Sequence, residues 1–331
     1  MGEERDFDVL VIGAGPTGIA VGAEARQAGL SCLVVDKGPL LSNVLEFPTF
    51  MQFFTTRDRM EIGGVPFSIP DDKPDRRQAL VYYRAVVRHH RIAVSAHEEV
   101  VAVERGEGGF TVTTRHRLGE RRYRAGSVVV ATGYFGYPRR LGVEGEDQDW
   151  VHARYVEPML HFQEHVVLVG AGNSTCEAAL ELWRHGVDVT IIHRGATIKP
   201  TVKYWVRPDV ENRIAEGSIA ASFETTVERF GDRVVHARRR GEAVEIAADA
   251  AYVLIGYAPN AGLLRSCGVE VSVEELIPDF DAATGETNVP GLYVAGAVQS
   301  GVHTNRIFID NSRDHGSAIV AHIAGRARGR S

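Results

Sequence analysis

Cysteine is scarce in this chain: Cys32, Cys176 and Cys267 are the only three in 331 residues. They lie far apart and form neither a C-x-x-C pair nor the ligand spacing of a zinc site, which excludes a neighbouring dithiol and leaves no metal site to expect. A disulfide-stapled secreted domain is excluded on the same ground, and reduced thiols point to the cytoplasm. Long apolar runs are also missing; none is long enough to span a bilayer, so no membrane partner is expected. The opening Met-Gly-Glu-Glu-Arg-Asp lacks the basic segment and apolar core of a signal peptide. Positive charge is not in excess either. With 37 Lys+Arg against 43 Asp+Glu the formal charge is −6, which argues against nucleic acid as a partner. The arginine-rich end, Gly325 to Ser331, is too short for a binding tail and reads as a frayed helix end. What remains is an ordinary globular composition, 44% hydrophobic and 24% charged, in a chain long enough for two cores.

The chain is organised around Phe7 to Asp36. An apolar run (Val9, Leu10, Val11, Ile12) meets Gly13-Ala-Gly15-Pro16-Thr17-Gly18, followed by a helical pattern and a second apolar run ending at Asp36. This is a βαβ unit with a G-x-G-x-x-G dinucleotide fingerprint. Gly13 allows the tight turn, Gly15 lets backbone approach a pyrophosphate, and Gly18 lets the helix pack on the sheet. The helix start then offers free N–H groups and the positive end of its dipole. Asp36 is placed to accept bonds from ribose hydroxyls.

Phe47 to Asp72 shows no sustained period and reads as loop, either lining a site or covering its own buried aromatics. Arg76 to His90 carries a helical pattern. Strands are expected near Val100–Glu104 and Phe110–Arg115 around a glycine turn, and a buried strand at Ser127–Ala131 runs into Thr132-Gly133. Tyr134 to Gly145 is turn-rich, a plausible hinge.

The opening pattern then repeats. His165 to Arg194 reads strand, Gly170-x-Gly172-Asn173-Ser174-Thr175, helix, strand. A repeated βαβ unit implies two nucleotide sites. The copies end differently: Asp36 closes the first, His193-Arg194 the second, with Lys199 and Lys203 close by. A carboxylate suits a free 2′-hydroxyl, whereas a guanidinium favours a 2′-phosphate. The first site is therefore expected to hold a dinucleotide with free adenosine-ribose hydroxyls and the second to prefer NADP(H) over NAD(H). Thr175 in place of a third small residue is expected to hold helix and strand slightly apart. A strand from Ala251 to Gly256, another from Gly291 to Gly296, and a helix over Arg306–Gly325 capped by Thr304 or Asn305 complete the chain. The expected fold is α/β with two Rossmann-like domains: residues 1–139 and 260–331 form one, and 140–259 are inserted as the other.

Together these motifs resemble two-dinucleotide flavoproteins of the thioredoxin reductase type. Several stretches are similar to the bacillithiol disulfide reductase family: Phe47-Pro-Thr through Phe53-Phe54, Glu61–Phe67, Lys203-Tyr-Trp205 with Pro208, and Asn305-x-Ile307-Phe-Ile309 with Asn311, His315 and Gly316. The resemblance implies FAD in the first domain, on Gly13, Gly15, Pro16, Thr17, Gly18, Asp36, Lys37, Val101, Thr132, Gly133, Gly296, Ala297, Asn305 and Ile307. It implies NADPH in the second, on Gly170, Gly172, Asn173, Ser174, Thr175, His193, Arg194, Lys199 and Gly256. It also implies a homodimer.

Two departures matter. Thioredoxin reductases carry C-x-x-C just before the second glycine motif, and the matching Val151–Tyr155 has none. Bacillithiol reductases place a cysteine inside the first glycine motif, where this chain has Thr17. Cys176 and Cys32 read as packing residues, and Ala297 stands where an aspartate is usual in the wider group. Hydride would pass from NADPH to the flavin, with the amides of helix 306–325 aimed at the flavin pyrimidine. His303, Arg306, His315 and Tyr155 are the candidate acceptor-side groups. The leading expectation is an NADPH-dependent reductase of a small disulfide, bacillithiol disulfide by resemblance. A ferredoxin- or flavodoxin-NADP reductase with a carrier-protein partner, an oxygenase and a slow-turnover redox sensor stay open.

Overall fold

The computed structural model describes residues 5–328. These form two compact units, one of the described residues up to 137 and from 258 on, the other of 138–257. Both are α/β, each built on a set of parallel strands with antiparallel strands added.

The first unit opens on β1 (Arg5–Ile12), whose Val9–Ile12 are all buried, then α1 (Pro16–Gln27) and β2 (Cys32–Val35). A strand buried on both faces reads as a continuous apolar run, which is what parallel packing demands. A one-turn α2 (Ser42–Leu45) precedes the long loop, and α3 (Arg76–His89) follows it. Asp75 and Gln78 close a reciprocal capping box at the start of α3, with bonds of 2.7 and 2.8 Å, satisfying two donors the helix leaves open. The aromatics of the loop divide. Phe53 and Phe67 are buried, Phe67 stacked on Tyr82 at 4.0 Å, while Phe50 and Phe54 are exposed.

β3 (Ala93–Ser95), β4 (Glu98–Gly106), β5 (Gly109–His116) and β6 (Gly119–Val130) follow. The sheet runs β3-β2-β1-β6-β5-β4. The strand expected at 127–131 is the end of β6, which begins eight residues earlier. The first part of β6 pairs antiparallel with β5, and its last part lies parallel to β1.

In the second unit β7 (Val151–His152), β8 (His165–Val169), α4 (Asn173–Arg184), β9 (Asp188–His193), α5 (Arg207–Ala215) and β10 (Ala220–Phe223) build a parallel sheet, ordered β10-β9-β8-β14-β7 once β14 (Ala250–Val253) joins it. Between β10 and β14 stands an antiparallel meander, β11 (Thr225–Phe230), β12 (Val234–Arg239) and β13 (Glu242–Ala247). Sequence reading passed over this meander and α5, although Val235 and Ala237 alternate into its core.

The return to the first unit brings α6 (Ala261–Ser266) and β15 (Leu292–Val294), parallel to β6. The helix expected from Arg306 does not start there. The chain forms a single turn, α7 (Ile309–Ser312), and then α8 (His315–Arg328). Neither Thr304 nor Asn305 caps it. Asn311 holds the preceding segment off the helix instead: its amide donates to the Arg306 carbonyl and its Oδ1 accepts from the Phe308 N–H, both at 2.8 Å.

Candidate dinucleotide-binding sites

The first glycine turn is fixed by its own backbone. Gly13 sits at φ +114°, and a Cβ there would lie 2.5 Å from the Ala131 carbonyl; one on Gly18 would lie 1.9 Å from the Gly13 carbonyl. Gly15 is different. Its φ of −78° suits any residue, and a Cβ would meet nothing within 4 Å. No atom of the protein demands glycine at 15, and the space in front of it is open at the N-terminus of α1, where Pro16 occupies the first turn. A pyrophosphate fits this cradle.

Asp36 is buried and ties the turn together: Oδ2 accepts from Ala14 N–H at 2.7 Å, and Oδ1 from Gly38 N–H at 2.8 Å and Ser42 Oγ at 3.2 Å. A carboxylate offers about four acceptor positions, so one remains for a ribose hydroxyl. Gly13, Gly15, Asp36, Lys37 and Thr132 share one groove, with Gly133 following at φ +62°. On its rim the exposed Lys37 donates to Tyr137 Oη at 3.0 Å, and Asn260 donates to the same oxygen at 3.1 Å.

The far wall holds a residue that sequence reading missed. Glu98 is fully buried in the groove lining, its carboxylate accepting from Ser95, Thr114, Tyr123 (2.9 Å) and Arg121 (3.0 Å). Burial alone would raise its pKa; the three hydroxyl bonds and the Arg121 charge outweigh it and hold the carboxyl below the ordinary glutamate value. Only the strand register brings these partners together, so no local signal marks Glu98. Val101 is the extra residue of a bulge between Val100 and Ala102 and its side chain is exposed, whereas Val100 lines the groove. Any contact from Val101 would therefore come from its backbone.

Gly296 has φ +73°, and a Cβ there would lie 2.7 Å from Thr17 Oγ1. Thr17 Oγ1 lies 3.2 Å from Ser312 Oγ, which donates to the Phe308 carbonyl at 2.7 Å. His315 Nδ1 accepts the Gly296 N–H at 3.1 Å. Burial lowers the His315 pKa despite its backbone bond near Asn311 and the neighbouring Asp314, so a neutral ring with its proton on Nε2 braces Gly296. Helix α8 starts at His315, and the amides expected at 306 belong to non-helical chain. His303 is engaged with Glu275 at 2.7 Å; Asn305 and Arg306 are exposed and Ile307 is half-buried on the same segment. Ala297 is the second residue of the short 3-10 turn Gly296–Ser300. Tyr155 is far from this segment in sequence and lies in the core of the second unit, packed on Tyr252 with ring centroids 5.6 Å apart. Burial and the nearby Glu181 carboxylate raise its phenol pKa. That is a packing position.

The second glycine turn repeats the first bond for bond. Gly13 N–H donates to Val35 O at 2.8 Å and Gly170 N–H to Ile192 O at 2.9 Å; Ala131 N–H donates to Ile12 O and Leu254 N–H to Val169 O, each at 2.8 Å. A Cβ on Gly170 would strike the Leu254 carbonyl at 2.5 Å, and one on Gly172 would meet nothing within 4 Å. Thr175 is fully buried and its hydroxyl donates to Leu254 O at 3.4 Å, so α4 admits a side chain where α1 needs glycine. His193 is half-buried; burial lowers its pKa, and the Lys199 and Arg194 charges lower it further, placing three basic groups at the end of β9. Arg194, Lys199 and Ser174 are exposed, and Gly256 (φ +103°) accepts Arg139 N–H at 2.9 Å.

The cysteines are poor thiolates. Burial pushes the thiols of Cys32 and Cys176 up to about 12 and raises that of the half-buried Cys267. Among the described residues no group of side chains could hold a metal ion, and no helix is long and apolar enough to cross a membrane.

A family profile for pyridine nucleotide-disulphide oxidoreductases matches residues 10–296. The bacilliredoxin reductase Bdr of Bacillus subtilis is 36% identical over 319 residues, 96% of this chain and 97% of that one. The bacillithiol disulfide reductase Bdr (YpdA) of Bacillus cereus has a TM-score of 0.95 at 35% identity, covering 97% of this chain and all of the other. Its counterpart from Staphylococcus aureus has a TM-score of 0.92 at 34% identity, covering 97% and 99%. The chain thus belongs to the pyridine nucleotide-disulphide oxidoreductases, FAD- and NADPH-dependent enzymes, and within them to the bacillithiol disulfide reductase group.

Proposed function

We propose that this oxidoreductase passes electrons from NADPH through FAD to bacillithiol disulfide, with no protein thiol in the path. The observation that carries the reading is the pair of glycine turns, each open on its ligand side at Gly15 and Gly172, one closed by a carboxylate and the other by basic residues. FAD belongs in the first unit and NADPH in the second. When bound, FAD supplies the chemistry that links a two-electron hydride donor to a disulfide acceptor. The balance is NADPH, a proton and one disulfide giving NADP⁺ and two thiols.

The chain's own residues position these groups. The α1 and α4 N-termini receive pyrophosphates with N–H donors and dipole. Asp36 holds the first ribose, and Arg194 with Lys199 selects the 2′-phosphate. Thr17 cannot form a mixed disulfide, and burial raises the thiol pKa of all three cysteines, which supports a path without a protein thiol. The names of the relatives point to two acceptors, bacillithiol disulfide and a bacilliredoxin. A cytoplasmic homodimer fits the reading, and sedimentation of the loaded protein checks the dimer.

The test is anaerobic NADPH oxidation by FAD-loaded protein offered bacillithiol disulfide, a bacilliredoxin mixed disulfide, or a ferredoxin or flavodoxin. Turnover with the small disulfide supports the proposal. Turnover with a carrier protein alone would replace the acceptor. Fast NADPH consumption in a single turnover with no acceptor oxidising the enzyme would point to a sensor.

A further inference from the structure

The loop after β9 returns to the second glycine turn and is bonded to it twice. Lys199 N–H donates to the Ala171 carbonyl at 3.1 Å, and Lys203 N–H donates to Asn173 Oδ1 at 2.8 Å. Asn173 is the first residue of α4. The resemblance places Asn173 among the residues of the NADPH site. Its Oδ1 is engaged with the loop. Lys203, with a side chain only 13% exposed, turns its ammonium onto Glu177 in the next turn of α4. Lys199, whose own bond to the turn is made by backbone alone, remains exposed beside His193 and Arg194.

We propose that Asn173 is a positioning residue for nucleotide selection: it holds the 199–203 strap against the glycine turn, so that the exposed basic groups at the end of β9 stay poised for a 2′-phosphate. This rests on the reading of the second unit as the NADPH site and adds a residue acting through the loop rather than on the ligand. A direct phosphate ligand would serve NADP⁺ and NAD⁺ alike, since both carry the pyrophosphate. A strap anchor serves only the nucleotide with the 2′-phosphate.

The readout is therefore a ratio. NADP⁺ and NAD⁺ affinities are measured by calorimetry on the FAD-loaded protein, for wild type, Asn173→Ala and Asn173→Asp. Losing one hydrogen bond should lower the NADP⁺:NAD⁺ affinity ratio of Asn173→Ala by roughly fivefold. Asn173→Asp keeps the acceptor; its charge near the pyrophosphate weakens both nucleotides, but the ratio should stay within about twofold of wild type. Equal weakening of both nucleotides in Asn173→Ala, with the wild-type ratio retained, overturns the proposal and makes Asn173 a direct ligand. Wild-type protein that binds NAD⁺ as tightly as NADP⁺ overturns the underlying site assignment instead, so the two failures are distinguishable.

Discussion

Substituting Gly15 by alanine separates a demand of the ligand from a demand of the fold. At φ −78° and ψ 178° the residue is in ordinary extended backbone, and the added methyl meets no protein atom within 4 Å. Removing a glycine from the unfolded chain should stabilise by about 0.4–1 kcal/mol, while alanine is a poorer N-cap than glycine by roughly half a kcal/mol or more. The two offset, and the apoprotein should unfold within about 0.5 kcal/mol of wild type. In the loaded protein the methyl stands where the pyrophosphate must approach, and overpacking of that kind costs roughly 1–3 kcal/mol, or about 5- to 150-fold in affinity. Thermal unfolding of apoprotein followed by a flavin fluorescence titration measures both. Gly18→Ala is the contrast, because its Cβ would sit 1.9 Å from the Gly13 carbonyl; it should lose stability and FAD together. Unchanged FAD affinity in Gly15→Ala, or a stability loss matching Gly18→Ala, refutes the assignment.

Removing the buried Glu98 charge as Glu98→Gln should destabilise the protein by about 3 kcal/mol at neutral pH, as unpaired buried charge networks do. Because the folded pKa is lowered, wild-type stability from this group is present above the ordinary carboxylate range and lost as pH falls below about 4.3; denaturant titrations should show a flatter acid limb in the variant. His315→Ala leaves the Gly296 N–H without its acceptor and should cost about 1–2 kcal/mol, which His315→Asn largely restores. The folded His315 pKa is lowered, so the unfolded chain binds its proton first and stability falls as pH drops through about 6.5; equal pH slopes between pH 5 and 7 in wild type and His315→Asn would exclude this role. Arg194→Ala should reduce the NADPH over NADH preference roughly 10- to 100-fold, measured as the ratio of kcat/KM values; full retention would sink the charge argument.

Both glycine turns were legible because their residues follow one another in a recognisable order of strand, glycines and helix. Gly18 meets Gly13 within the same turn, whereas the clashes of Gly13 with Ala131 and of Gly170 with Leu254 come from the ends of β6 and β14, far along the chain, and only the structure shows them. Glu98 was not legible. Its four partners come from the end of β3, from β5 and from two positions on β6, and only the register brings them to one carboxylate. The break before α8 escaped for a related reason: residues 306–314 carry a helical pattern, yet the Asn311 side chain competes successfully for the backbone groups of 306 and 308. Asn173 carries a bond that the motif does not announce, its oxygen accepting the Lys203 N–H from the loop after β9. The meander at 225–247 had a readable alternation, but its charged outer face, ending in Arg238, Arg239 and Arg240, resembles surface loop.

The bonds that shape the first groove are internal to the chain: Asp36 closes the turn through Ala14, Gly38 and Ser42, and Glu98 is saturated by its own neighbours. FAD therefore has little chain to order on arrival, and loading is an insertion into a finished mould rather than a folding step. Bound cofactor then adds stability by mass action to a chain whose groove contacts do not depend on it.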